Sequence, residues 1–304
     1  MEKNKYNVSI IGAIVIIAIS LSGLIIGSLL DLQIEQALYS SGNFFGLFFG
    51  ITGMLPAYLP LGWIAGLLVA VTIKKDYSLI IKIILYILSG GMGLAAVLLL
   101  GSELISIDAF NIPDMLYVGI LVSSVLVAGC AIFGYFIGKK CENPNILAII
   151  IIFAVMYLII WVAPGRILKS FFHRPRYRVL LSGVSGLNIE SGYVNWWERF
   201  TSYDNFANSV SADEFKSFPS GHAGAGVLFA MFLAFLPYFT GKYSKINIWL
   251  QPVGILWALL VSLSRITVGA HYLSDVSVGM LIVAIGYLAA CFVVNKNFSV
   301  LSNT

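Results

Sequence analysis

Residues Ser264–Asp275 read SRITVGAHYLSD, a polar turn set between two long apolar runs. The turn gathers Arg265, His271 and Asp275 in a chain where only 11% of residues are charged. His271 and Asp275 are four apart, so a helix beginning near the histidine projects both from one face. A carboxylate on the far nitrogen of an imidazole makes that ring an oriented base or nucleophile. Arg265, six residues before the histidine, can clamp an anion. The stretch points to phosphate chemistry at the edge of a bilayer.

Composition agrees. The 304 residues are 59% hydrophobic, with a mean hydropathy of +0.93. Soluble domains run at about 45–50% apolar and about 25% charged, so the expected class is an all-α polytopic transmembrane bundle. A spanning helix needs about 20 apolar residues, and eight runs qualify: Val8–Leu30, Gly53–Ile73, Leu79–Leu100, Met115–Ile137, Ile146–Ala163, His222–Tyr238, Ile246–Ser264 and Val276–Val294. Pro56 and Pro60 interrupt the second, and Phe44–Ile51 reads as an interfacial or re-entrant piece before it. The first run is longer than the roughly 7–15 residues of a signal core and no small-residue cleavage site follows, so it is expected to be a retained span. Cys130, Cys141 and Cys291 have neither metal-site nor redox spacing and read as small apolar fillers. The run Gly90-Gly91-Met92-Gly93 lies mid-span and is expected to serve close helix packing.

Lysines set the expected orientation. Lys3, Lys5, Lys74, Lys75, Lys82, Lys139, Lys140, Lys242, Lys245 and Lys296 all fall on one side if the spans alternate. The opposite loops Asp31–Thr52 and Gly101–Asp114 carry acids and no Lys or Arg. Both termini are therefore expected to be cytoplasmic in a multi-pass cell-membrane protein. Arg166, Lys169, Arg174, Arg176, Arg178, Arg199, Lys216 and Arg265, which include every arginine, break the pattern and fall on the outer side. An anionic ligand is the simplest reason to retain them there. The long outer segment Gly165–Pro219 also carries Tyr193, Trp196, Trp197, Phe200, Tyr203 and Phe206, expected as a short interfacial helix.

Alternation brings four helix ends to one face: Lys169 to Arg176, Pro219–His222, Arg265, and His271 with Asp275. Singly, each has a bland explanation. Lys169 and Arg265 offset helix dipoles, Ser220 is a good N-cap, Asp275 is an acid in a first turn, and Gly221 to Gly226 is a small-residue packing face. Together these leave two histidines and a carboxylate at one membrane surface unexplained, where ionisable groups are costly and usually functional.

These residues resemble the three-part signature of the type 2 phosphatidic acid phosphatase superfamily. Lys169 and Arg176 match a Lys, six residues, Arg pattern; Pro219-Ser220-Gly221-His222 matches the second part in full; Ser264-Arg265, His271 and Asp275 match the third in full. Tyr177 stands where the family has proline. The resemblance covers roughly the second half of the chain. It implies about eight spans arranged as a six-helix phosphatase core, residues 77–304 with the outer loop 165–219, preceded by an N-terminal transmembrane helical pair in residues 1–76.

The resemblance further implies that His271 is the nucleophile and forms a phosphohistidine. Asp275 orients it through a hydrogen bond, and His222 protonates the leaving oxygen and then activates water. Lys169, Arg176 and Arg265 would bind the phosphate by charge, and Ser220 and Gly221 through backbone N–H groups at a favourable dipole end. No metal and no cofactor are implied; His173 is expected to pack or contact headgroups. The expected substrate is a lipid phosphate taken from the bilayer: phosphatidic acid, phosphatidylglycerophosphate or a polyprenyl diphosphate. No nucleic-acid partner is expected, and oligomeric state stays open. Phosphotransfer between lipids and a non-catalytic anionic-lipid transporter or binder are the competing readings.

Overall fold

The computed structural model describes residues 5–6, 8–105, 115–240, 247–297 and 300–301. Expectations placed on Lys3, Lys242, Lys245 and residues 106–114 lie outside the described residues. Among the described residues the architecture is all-helical but for one two-residue antiparallel pair, β1 (Lys5–Tyr6) against β2 (Val300–Leu301). Between them run α1 (Ile11–Leu38), α2 (Phe44–Thr52), α3 (Leu55–Lys74), α4 (Leu79–Ile105), α5 (Met115–Lys140), α6 (Ile146–Val155), α7 (Ala163–Phe172), α8 (Tyr177–Ser182), α9 (Ile189–Gly192), α10 (Tyr203–Phe206), α11 (Gly221–Thr240), α12 (Asn247–Thr267) and α13 (Leu273–Asn297).

Among the described residues, seven helical stretches are long and apolar enough to cross a membrane, the second being Phe44–Lys74, which takes in both α2 and α3. The fifth expected run differs. Ile146–Ala163 begins as α6, widens into a π-helix over Met156–Val162 and returns to α-geometry as α7. Pro164, near the start of α7, has no N–H for the usual intrahelical bond, and such a gap favours a locally widened turn. The first run also differs: α1 continues through Leu38, so Asp31 and Glu35 are helical and buried instead of lying in a loop.

Two packing seams organise the bundle. α3 lies against α5 and α4, while α11 lies against α12 and α13, with α1 running along α13 and α12. Small residues set the closest approaches. A Cβ on Gly66 would sit 1.8 Å from Ala131 O and one on Gly134 1.9 Å from Trp63 O, so α3 and α5 touch backbone to backbone. Gly90, Gly91 and Gly93 have open space around their Cβ positions, so the expected close packing at that run is not found. The seam formed where Gly226 meets Ala258 and Gly254 meets Ala230 takes that role instead.

The two ends of the bundle differ in kind. At one end Val8 N–H donates to Asn295 Oδ1 at 2.8 Å, Asn143 Nδ2 donates to Tyr238 O and Lys74 Nζ donates to Cys141 O. At the other end residues 173–220 fold over the helices. Of the aromatics expected as one interfacial helix, Tyr193, Phe200, Tyr203 and Phe206 join a small second core in which Phe200 and Phe206 stack on Phe215 beside Val179, Leu180 and Leu187. Trp196 donates to Ser28 Oγ at 2.9 Å, and His173 stacks on Tyr203 as expected of a packing residue.

Candidate active site

The turn 268–272 is shaped by Gly269, whose φ of +66° ends α12. A Cβ there would lie 2.9 Å from Tyr39 and 3.0 Å from Arg178 N, so both conformation and space require glycine. The N–H groups of Ala270 and His271 then fold back onto Arg265 O at 3.0 and 3.2 Å. Arg265 and His271, six positions apart, are thereby held at one end of one cavity.

That cavity has a volume of about 750 Å³. Lys169 from α7, Arg176 before α8, Gly221 and His222 from α11, Arg265 from α12 and His271 all line it. Six of the eight sequence-predicted site residues thus converge. Ser220 and Asp275 stand behind the wall, 2% and 0% exposed. Ser220 N–H, expected as a phosphate donor, is instead spent on Asp275 O at 3.0 Å, and its hydroxyl oxygen caps Ala223 N–H at 3.4 Å. Gly279 makes this possible, since a Cβ there would fall 2.2 Å from Ser220 O.

His271 Nδ1 lies 2.5 Å from Ser217 O. A carbonyl only accepts, so Nδ1 carries the proton and Nε2 keeps its lone pair. The expected direct bond from Asp275 to His271 is not formed: Asp275 Oδ2 is 4.0 Å from Nδ1. Asp275 acts one step removed. Its Oδ2 accepts from Ser217 Oγ at 2.5 Å and from Tyr272 N–H at 2.9 Å, fixing the residue whose carbonyl holds the ring. Burial holds the His271 imidazole well below its ordinary pKa, and the cations Lys169, Arg176 and Arg265 push the same way. The ring is therefore neutral at pH 7, the state in which an imidazole can act as a nucleophile.

His222 Nε2 lies 3.3 Å from Gly50 O, so this nitrogen carries a proton. Gly50 belongs to α2, the short helix read as a re-entrant piece, whose start is fixed by Asn43 Oδ1 accepting from Gly46 N–H at 2.6 Å. α2 packs on α12 and gives the cavity Leu47 and Ile51, with Met54 following, an apolar side facing the cations.

The cations are incompletely satisfied. Arg265 Nε and Arg176 Nε are buried without a hydrogen-bond partner among the described residues. Arg176 Nη2 meets Asp213 Oδ2 at 2.7 Å, and that carboxylate is 58% exposed on a 3₁₀ turn over Ala212–Phe215. Burial pulls the Lys169 ammonium down to about 8, helped by the neighbouring Arg176. Tyr177, in the place of the family proline, leaves Arg176 extended at φ −73° and ψ 146°, the backbone that a following proline would impose.

Sequence reading missed several groups. Arg174 does not serve a phosphate: it is 1% exposed, and its Nη1 and Nη2 bind Asp275 Oδ1 at 2.6 Å and Asp31 Oδ2 at 3.0 Å. Burial lowers its pKa, but Asp275 and Asp31 outweigh that and raise it. Ser217, Gly50, Asp213 and Glu103, the last a cavity-lining acid that accepts from Tyr58 Oη at 3.2 Å, were also passed over. For Asp31 a signal existed, since an acid within an apolar helix is expensive.

A family model described as the PAP2 superfamily matches residues 145–299. No curated protein and no solved structure matches the chain.

Proposed function

The chain belongs to the PAP2 superfamily, which makes it a phosphatase at the level of that family, and we propose that it hydrolyses lipid phosphates through a phosphohistidine on His271. The observation that carries the reading is the His271 ring: Nδ1–H is tied to Ser217 O, and the free Nε2 belongs to a cavity walled by Lys169, Arg176 and Arg265. A phosphate monoester is inert because its charged oxygens repel a nucleophile, and enzymes reach accelerations up to about 10²¹-fold by neutralising that charge and placing the attack in line. Nε2 attacks phosphorus as the P–O bond to the leaving group breaks. His222 gives that oxygen a proton, a step worth roughly 10²–10⁴-fold. His222 then takes a proton from water as the water oxygen attacks phosphorus and the P–N bond breaks, releasing phosphate and restoring both rings.

Leu47, Ile51 and Met54 beside the cations support an amphiphilic substrate with an apolar leaving group. The candidates are phosphatidic acid, phosphatidylglycerophosphate and polyprenyl diphosphates. Lys74, Lys139 and Lys296 lie near helix ends far from the cavity, which supports a site on the extracytoplasmic face of the cell membrane with both termini cytoplasmic. No metal enters the mechanism, so activity is expected to survive EDTA.

Purified protein assayed against a panel of lipid mono- and diphosphates, with ³²P trapping on histidine, tests the proposal. His271→Ala should lose at least about 10⁴-fold in activity and all trapped label. Retained turnover in that variant, or transfer of label to a lipid acceptor with no free phosphate, overturns it.

A further inference from the structure

The residues of α1 that face the site lie outside the segment matched by the family, and no role in the reaction has been assigned to them. Gly23 and Gly27 bring α1 against the start of α13, since a Cβ on either would fall 2.5 Å from Ser277 Oγ or 2.7 Å from Ser274 N. One turn on, Asp31 is 2% exposed. Its Oδ1 accepts from Ser274 N–H at 2.9 Å, at the N-terminus of α13 where a carboxylate is favoured by the dipole. Its Oδ2 accepts from Ser274 Oγ and from Arg174 Nη2. Arg174 in turn reaches Asp275 and Ser274 through Nη1 and Val194 O through Nε, and its guanidinium lies 4.1 Å from the centre of the Tyr272 ring.

We propose that Asp31 is a positioning residue of the active site, acting through Arg174 and Ser274 on Asp275 and so on the Ser217 carbonyl that holds His271. Two carboxylates flank one guanidinium, so the buried cluster carries a net charge of about −1. Against it, Lys169, Arg176, Arg265 and His222 face His271 from the cavity side. Around the cluster itself stand Tyr193, Tyr272 and the buried Glu35, one turn beyond Asp31, with no hydrogen-bond partner for either carboxyl oxygen among the described residues. The cluster lies behind the ring, opposite the cavity cations, with Asp275 Oδ2 4.0 Å from Nδ1, so its negative charge opposes their field at the nucleophile as well as fixing its place.

The inference rests on the reading of His271 as nucleophile. Asp31→Asn keeps an acceptor for Ser274 N–H and leaves Arg174 balanced against Asp275, so folding is expected to survive. In that variant kcat should fall about 10- to 100-fold with KM within about twofold, the cost of a slightly misplaced group. The acid limb of kcat/KM and the His271 titration read by ¹⁵N NMR in detergent should both move to lower pH, by roughly one unit, because a negative charge has been removed. Asp31→Glu should return the limb to its wild-type position. A purely structural role would lower Tm and leave limb and titration in place. If Asp31→Asn does not fold, Ser274→Ala decides, since it removes the hydroxyl that joins Asp31 to Arg174: a fall in kcat at unchanged KM supports the inference, and wild-type kcat overturns it. An unchanged His271 titration with unchanged kcat in Asp31→Asn overturns it as well. If the wild-type enzyme hydrolyses nothing in the panel, the functional reading fails, while the NMR titration still decides the role of Asp31.

Discussion

Arg174 and Arg176 are separated by one proline and carry the same charge, yet they do opposite work. Arg174 is closed off, with two carboxylates, a hydroxyl and a carbonyl consuming its donors. Arg176 faces the cavity, leaves Nε without a partner among the described residues and rests on a half-exposed Asp213. Charge that is satisfied at folding builds the site; charge left unsatisfied is what the proposed mechanism offers to the ligand. The backbone decides which is which: Arg176 N–H is tied to Glu214 O and Ser217 N–H to Arg174 O, which aims successive side chains in different directions.

Variants can break this contrast. Arg174→Met should cause the largest loss of folding, because it strands Asp31 and Asp275 as buried carboxylates; breaking such a pair costs about 3–5 kcal/mol, read as a lowered Tm in detergent. Arg176→Ala should leave Tm nearly unchanged, since Asp213 returns to solvent, while kcat/KM falls about 10²–10³-fold, the usual cost of a donor aimed at developing charge. Equal Tm losses in the two variants would erase the distinction.

Lys169 sharpens it through pH. With its pKa held at about 8 by burial and by Arg176, it loses its proton as pH rises through that value. Phosphate binding by the free enzyme should weaken there, giving kcat/KM an alkaline limb near pH 8, and Lys169→Arg should move that limb upward. Stability has the opposite sign. The unfolded lysine still binds a proton between about pH 8 and 10.4, so this residue's contribution to stability rises across that window. A limb that ignores Lys169→Arg would remove the lysine from the phosphate cup. The smallest effect is expected from Asp213→Asn, which frees Arg176 of a partially exposed partner worth about 0–1 kcal/mol; KM should fall by no more than a few-fold. A rise in KM would make Asp213 a fixed support for Arg176.

Much of this was legible in the residues. Hydropathy alone locates the long helices, and the motif residues His222, Arg265 and His271 line one cavity. The interior arrangement was not legible, for identifiable reasons. Arg174 and Arg176 are indistinguishable in composition, and only the fold shows that the first points into protein. The Asp275 to His271 spacing predicts a shared face, but the turn at Gly269 sets the ring 4.0 Å away and inserts Ser217 between them. Asp31 is remote in sequence from every motif, and the contact that gives it meaning spans 243 residues. The π-helix at Met156–Val162 has its sequence mark just past the apolar run, at Pro164, and not in the hydropathy that delimits the run.

The nine residues of α2 hold two things at once: the Gly50 carbonyl that keeps the proton of His222, and the apolar side chains of Leu47 and Ile51. A tail lodged against those side chains bears on the same rigid rod that carries the carbonyl. Displacement of the rod by a fraction of an ångström would stretch a contact already at 3.3 Å and release the imidazole for its proton transfer. On the proposed lipid-phosphate mechanism, recognition of the tail and delivery of the proton would then be mechanically one event, and a short soluble phosphate ester, which fills the cup without leaning on the rod, would be held without being hurried.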